Sequence, residues 1–377
     1  MIAIIGGGVI GLAIGWRLAD AGQDVAVFER QHAGRGASWA AAGMLAPVSE
    51  AEPEEEALID LALAGHALWP SFADEVTTAT GLAIDYWPCG GLHLALNRDE
   101  AERLDFLRDF LARLGLEAQR ISVAEARTRS AHLSSNLKAA LLCPSDHQVD
   151  NRKLGTALRA AFVGAGGMLM EQSEVTALDL AAGKVAGVVI GERRYAAELV
   201  ILASGAWSGS IEAVPARHRP AIRPVKGQML SLRAETPLTG NILWREGWYM
   251  VPRRDGRLIV GATVEEQGFD DRITAGGLFQ LLDRARELLP AIDELPVDEV
   301  WCGFRPASRD DAPILGPCSL PGLVHAAGHY RHGILLTPIT AAGIADYVLR
   351  GELPSRLRPF TAARFDAASP HRAGVFA

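Results

Sequence analysis

Three glycines at fixed spacing, Gly6-x-Gly8-x-x-Gly11, directly follow the apolar run Ile2-Ala3-Ile4-Ile5. They open a stretch with helical periodicity over residues 9–21, which Gly22 stops. A second apolar run, 25–28, ends in Glu29. Strand, glycine turn, helix and strand in this order leave the chain few choices. Gly6 permits the tight turn, Gly8 lets a diphosphate approach the backbone, and Gly11 lets the helix pack closely on the strand. The helix N-terminus then presents free N–H groups and partial positive charge to the phosphates. Glu29 stands 18 residues after Gly11. A carboxylate there accepts hydrogen bonds from ribose hydroxyls and repels a 2′-phosphate, which disfavours NADP. The motif does not by itself separate FAD from NAD.

The chain has 377 residues, 49% of them hydrophobic, enough for one large domain or two intimate ones. A net charge of -8 argues against nucleic acid or an anionic membrane surface as partner. The four cysteines, Cys89, Cys143, Cys302 and Cys318, form no CxxC pair, so neither a metal knuckle nor a redox dithiol is expected. Scattered thiols point to a reduced, cytoplasmic protein. The N-terminus reads as the start of the fold rather than a signal peptide. No apolar run is long enough for a membrane span.

Beyond the opening, the acidic run 52–56 reads as a solvated first helical turn, continued by a helix over 57–78. A strand over 91–96 and a charged amphipathic helix over 97–115 follow. A helix over 154–162, a strand at 168–170 and a hairpin of 174–180 with 185–190 come next. A buried strand over 199–203 ends in Ser204-Gly205-Ala206-Trp207. Residues 227–263 read as short strands, 274–289 as a helix and 323–327 as the last strand. A final helix runs from about 333 to 349, with Pro338 tolerable only in its first turn. The expected class is α+β: a Rossmann-like nucleotide-binding domain interleaved with a smaller substrate domain on an antiparallel sheet. No Gly/Ser linker marks a cut, so the first domain is read from 1–80, 140–218 and 300–365. The second takes 81–139 and 219–299, and 366–377 form a tail.

The segment Gly36-Ala37-Ser38-Trp39-Ala40-Ala41-Ala42-Gly43-Met44-Leu45 is a run of mostly tiny residues. It suits either a tightly packed helix start or backbone laid against a large flat ring. With GGGVIGLAIGWRLA, FERQHAGRGASWAAAGMLAP, VILASGAWS, RPVKGQ, WYMVPRRDGRLIVGAT, GFRPASRDDAPILG and AAGHYRHGILLTPITA, it resembles in order the blocks of the bacterial glycine oxidases. These belong to the D-amino-acid oxidase superfamily. The resemblance runs to about residue 350 and decides for FAD.

By that resemblance Val9, Ile10, Glu29, Arg30, Ala37, Ser38, Ala42, Gly43 and Met44 line the cofactor, and the Val175 backbone meets the adenine. Ser204, Gly205 and Trp207 end the second flavoprotein strand beside it. His329, Tyr330, Arg331, His332, Gly333, Ile334 and Leu335 form the loop under the flavin pyrimidine. The family usually has Asn where His332 stands. Gly303 occupies the place where sarcosine oxidases carry a flavin-linked cysteine, so the FAD is expected to be non-covalent. Arg305 matches the carboxylate-binding arginine, Tyr249 a second carboxylate contact and Arg331 a further pocket arginine. A guanidinium gives two parallel charge-assisted bonds to a carboxylate. The chemistry implied is hydride transfer from the substrate α-carbon to flavin N5, with no protein nucleophile and an acid/base role that stands empty. Isolated histidines (His32, His66, His93, His147 and His325) read as structural or surface groups, and Trp248 as either core or pocket wall.

Three readings follow. One is an oxidase of glycine or similar small amino acids with oxygen as acceptor, feeding thiazole synthesis for thiamine. Another is a dehydrogenase of D- or N-methyl amino acids passing electrons to quinone. The last is a non-catalytic flavin-binding protein. The resembling family also implies a homo-oligomer, often a tetramer.

Overall fold

The computed structural model describes residues 1–212 and 214–366; apart from Asp366, the expected tail lies outside them. The apolar opening strand Ile2–Ile5 is buried on both faces at the centre of a six-stranded sheet. The order across this sheet is Ile314–Pro317, Leu323–Ala327, Leu199–Leu202, Ile2–Ile5, Val25–Phe28, Met168–Met170. Neighbours are parallel except the edge strand Ile314–Pro317. Continuous apolar runs are what a parallel strand covered on both sides requires. Alternation divides the strand's work. Ile2 and Ile4 face a core with Leu12, Phe162 and Ile344 of the helices Val9–Asp20, Asn151–Gly164 and Thr337–Arg350. Ala3 and Ile5 face the opposite core, with Leu178, Val185 and Val188 of an antiparallel three-stranded meander.

The second sheet has eight strands, antiparallel except for one parallel pair, Ile242–Arg245 with Gly91–Ala95. Its longest pairing joins Arg223–Arg233 to Val297–Ala307. The same alternation gives it two faces. Leu230, Met250 and Val260 pack outward under Leu281, Ala285 and Leu288 of the helix Ala275–Leu288. Met229, Trp244, Tyr249 and Ala262 face inward, toward Ala40 and Ala42.

Several expectations need correction. The helix over 57–78 is two, Glu56–Ala67 and Trp69–Thr80, broken at Leu68. Pro70 lacks an N–H and fits only a first turn. The acidic residues 52–55 precede the helix rather than open it. The strands Ala139–Cys143 and Val297–Ala307 both pair in the eight-stranded sheet, across the boundaries expected at 140 and 300. The last helix starts at Thr337 with Pro338 in its first turn, as its chemistry demands. No helix among the described residues is long and apolar enough to cross a membrane.

Candidate active site

A cavity of about 1270 Å³ lies where the carboxyl ends of the parallel strands meet the inner face of the large sheet. Its wall takes in Ile5, Gly6, Phe28, Glu29, Ala203, Ser204 and Ala327, which follow or end four parallel strands. Ligands of open parallel sheets bind at such strand ends.

One end of the cavity is built from the glycine turn. Gly6 has φ +108°, and a Cβ there would sit 2.5 Å from the Ala203 carbonyl oxygen. A Cβ on Gly11 would lie 2.0 Å from the Gly6 oxygen, so Gly11 serves the packing of helix on turn. No side chain caps the helix at Gly8, which leaves the first-turn amides beyond Val9 for a ligand. Val9 N donates to Ser38 Oγ (3.1 Å). The Glu29 carboxylate accepts from Gly7 N (2.8 Å) and Gln31 N (2.9 Å), fixing its direction at the cavity wall. Arg30 lies 3.9 Å over the Trp207 ring. The short helix Ala37–Ala40, with Ala42, Gly43 and Met44, presents a wall of small groups. Val175, Gly205 and Trp207 complete this end.

The loop after Leu323–Ala327 bounds the middle. Its turn places Tyr330 at φ +46°, a left-handed conformation rare for an aromatic residue. Two contacts hold it there: Tyr330 N donates to the Pro306 carbonyl (3.0 Å), and His329 pairs with Ala307 in a β-bridge. His329, Tyr330, Arg331, Gly333 and Ile334 line the cavity. His332 and Leu335 do not. The Leu335 carbonyl accepts from Trp69 Nε1 (2.9 Å) within the core. The His332 ring turns away, with Nδ1 3.5 Å from Glu50 Oε2. Burial lowers its pKa to about 3, so the imidazole is neutral.

At the other end Arg305 and Tyr249 project from the large sheet into the same cavity. Arg305 Nη1 donates to the carbonyls of Thr263 (3.2 Å) and Lys226 (3.4 Å). The guanidinium lies across Gly227, where a Cβ would come within 2.6 Å of Nη1. The Tyr249 ring packs over Gly261, and burial raises its phenol pKa beside the Arg305 charge. Arg331, by contrast, is engaged: its Nη2 donates to Glu52 Oε1 at 2.6 Å. Glu52, read as solvated, is part of the cavity wall.

Sequence reasoning missed Ser49, Glu50, His93 and Trp244, all of which line this end. His93 is buried, stacks on Trp244 (centroids 5.7 Å, 7° between planes) and bonds through Nε2 to Ser49 Oγ (2.6 Å). Burial lowers its pKa to about 4. Ser49 Oγ also donates to the buried Asp146. No spacing rule links 49, 93 and 146; only the fold brings them together. The other histidines stay structural or superficial. His66 and His147 bond to each other (3.1 Å), and His325 Nε2 donates to the His218 carbonyl (3.1 Å). His32 is exposed at the cavity rim. Trp248 is core.

The donor set fits a flavin dinucleotide: an uncapped helix terminus for the diphosphate, a fixed carboxylate for ribose, and small residues against a planar ring. The volume exceeds the roughly 300–1,000 Å³ of ordinary ligand pockets, which leaves room for a small substrate beside the cofactor.

These features define a flavin-dependent oxidoreductase, and the sequence agrees. It matches the family model described as FAD dependent oxidoreductase over residues 1–347, and the chain belongs to that family. Among its relatives, the glycine oxidase of Geobacillus kaustophilus is 39% identical over 367 residues, 96% of either chain. The crystal structure of glycine oxidase from that organism aligns with a TM-score of 0.90 at 38% identity, covering 97% of this chain and 98% of the other. The bifunctional protein ThiO/ThiG of Trichormus variabilis is 37% identical over 97% of this chain, which spans 55% of that longer protein.

Proposed function

We propose that the protein oxidises glycine and similarly small amino acids, such as sarcosine and small D-amino acids. Glycine, oxygen and water give glyoxylate, ammonia and hydrogen peroxide. The observation that carries this reading is one cavity with the glycine turn and its helix terminus at one end and the Arg305–Tyr249 pair at the other. FAD held between the glycine turn and the small residues 37–44 would supply the hydride acceptor and the electron path to oxygen.

The chain's own residues do the positioning. Arg305 receives the substrate carboxylate and Tyr249 offers a second contact, which fixes the direction of the α-C–H. Met229, Trp244 and Ala262 close the wall around it and exclude water. The six-stranded sheet carries the cofactor and the eight-stranded sheet the substrate groups. The likeness to ThiO/ThiG supports a place supplying the thiazole of thiamine. A cytoplasmic homotetramer belongs to the same reading, and light scattering on the purified protein measures its subunit count.

A peroxide assay with glycine, sarcosine and D-alanine tests the function. Peroxide from glycine is the expected result. Dye reduction without peroxide would transfer the protein to the dehydrogenases, and a flavin that no amine bleaches would remove the catalytic reading.

A further inference from the structure

An amino acid reaches such a site as an ammonium, yet only the neutral amine carries the lone pair that drives hydride departure. A proton must therefore go somewhere in a pocket already furnished with two arginines. We propose that Glu50 is the proton acceptor for the substrate ammonium, a catalytic residue set opposite Arg305. This deepens the oxidase reading above and rests on it.

Elimination among the acids of the cavity wall points to Glu50: Glu174, Glu212, Glu246 and Asp271 are exposed to solvent. Glu29 lies at the diphosphate end and is held by Gly7 N and Gln31 N. Glu52 is bound to Arg331, and Glu100 to Arg245. Asp146 is bound to Ser49 and does not line the cavity. The Glu50 side chain is largely buried at the substrate end, in electrostatic reach of Arg331, Arg305 and Tyr249. Its Oε2 lies 3.5 Å from His332 Nδ1, a nitrogen without a hydrogen-bond partner among the described residues. The backbone around it is fixed: Glu50 N donates to the Ala46 carbonyl (3.1 Å), and Ser49 is tied to Asp146 and His93.

The charges facing Glu50 come from every side. Arg305 and Arg331 are cationic, Asp146, Glu52 and Glu55 acidic, Tyr249 and His332 neutral. Burial outweighs Arg331 and pushes the Glu50 carboxyl up to about 7, where an acceptor can both take and release a proton at neutral pH. In the step, one N–H bond of the ammonium breaks and an O–H bond forms on Glu50. The two opposite charges disappear together, and no electron changes hands. The amine lone pair is freed, and Glu50 returns its proton to water after the product leaves.

The test is anaerobic flavin reduction by glycine in holoenzyme, followed from pH 6 to pH 10. The wild type should show an acid limb near pH 7 in the apparent second-order rate constant. Glu50→Gln should reduce about 100-fold more slowly at pH 7, with its limb displaced to the alkaline range where glycine itself loses its proton. Glu50→Asp should recover part of the rate and the limb. Glycolate has the carboxylate but no amine. Its perturbation of the flavin spectrum should be unchanged in both variants. A Glu50→Gln enzyme with the wild-type limb and a rate within about threefold would overturn the proposal. So would a parallel loss of glycolate affinity in both variants, which would give Glu50 a structural role. Failure of every small amino acid to reduce the wild type would instead strike the oxidase reading, and the inference with it.

Discussion

Arg305 owes its position to a neighbour without a side chain. Its guanidinium occupies the space over Gly227 that any Cβ would enter. Gly227→Ala should therefore raise KM for glycine about tenfold by displacing Arg305, with FAD content unchanged; steady-state kinetics and the flavin-to-protein ratio read both. Arg305→Ala should act more strongly, raising KM about 100-fold, since truncating one partner of a buried charge pair costs about 2–5 kcal/mol. A wild-type KM in that variant would take Arg305 out of the site. Glu50 gives a different signal. Burial holds its folded pKa near 7, above its ordinary 4.5. Its favourable contribution is therefore whole below pH 4.5 and is lost as pH rises through 7. Glu50→Gln should accordingly be more stable than wild type above pH 7, by on the order of 3 kcal/mol. The gap should close below pH 4.5, as thermal unfolding across pH can show. Arg305 and Tyr249 were legible because they sit in long collinear blocks. Glu50 and His93 were not: a lone acid or histidine has no spacing signature, and convergence in space is invisible along the chain.

At the scale of elements, the glycine turn, its helix and Glu29 could be read directly, because each residue there answers a local steric or charge requirement. Glu29→Ala removes the group that fixes Gly7 and Gln31 and should weaken FAD retention at least tenfold in dialysis; full retention would mean the ribose is held elsewhere. The strand Val297–Ala307 went unread. Its first half carries Asp298, Glu299 and the exposed Val297 and Val300 at the edge of the sheet, which hides the alternation of its buried half. The break at Leu68 was missed although Pro70 marks it, because the apolar period runs on through both helices. The helix Asn151–Gly164 is anchored where the sheets meet. Asp150 caps it by accepting from Arg152 N and Lys153 N, and pairs with Arg257 at 2.6 Å while 2% exposed. Asp150→Ala loses a cap and one of the two carboxylates on Arg257, which keeps Asp255. It should cost about 1–2 kcal/mol in urea unfolding with little change in KM.

Among the described residues, the two largest sheets both border a space sized for a cofactor. That the two units interleave was legible from the absence of a linker, but which strands each sheet claims depends on long-range pairing that no local window contains. FAD at a hundredfold excess over its Kd should stabilise the fold by about 2.7 kcal/mol, and the melting temperature should climb with FAD concentration. The stitching of Tyr330 to Pro306 and of His329 to Ala307 has a kinetic consequence. The loop at His329 and Tyr330 and the strand bearing Arg305 must loosen together. A small carboxylate seated on that arginine should therefore lengthen the residence time of the flavin. By reciprocity, whatever factor the carboxylate adds to the equilibrium affinity for flavin is the factor that stripping the flavin should take from the carboxylate's affinity.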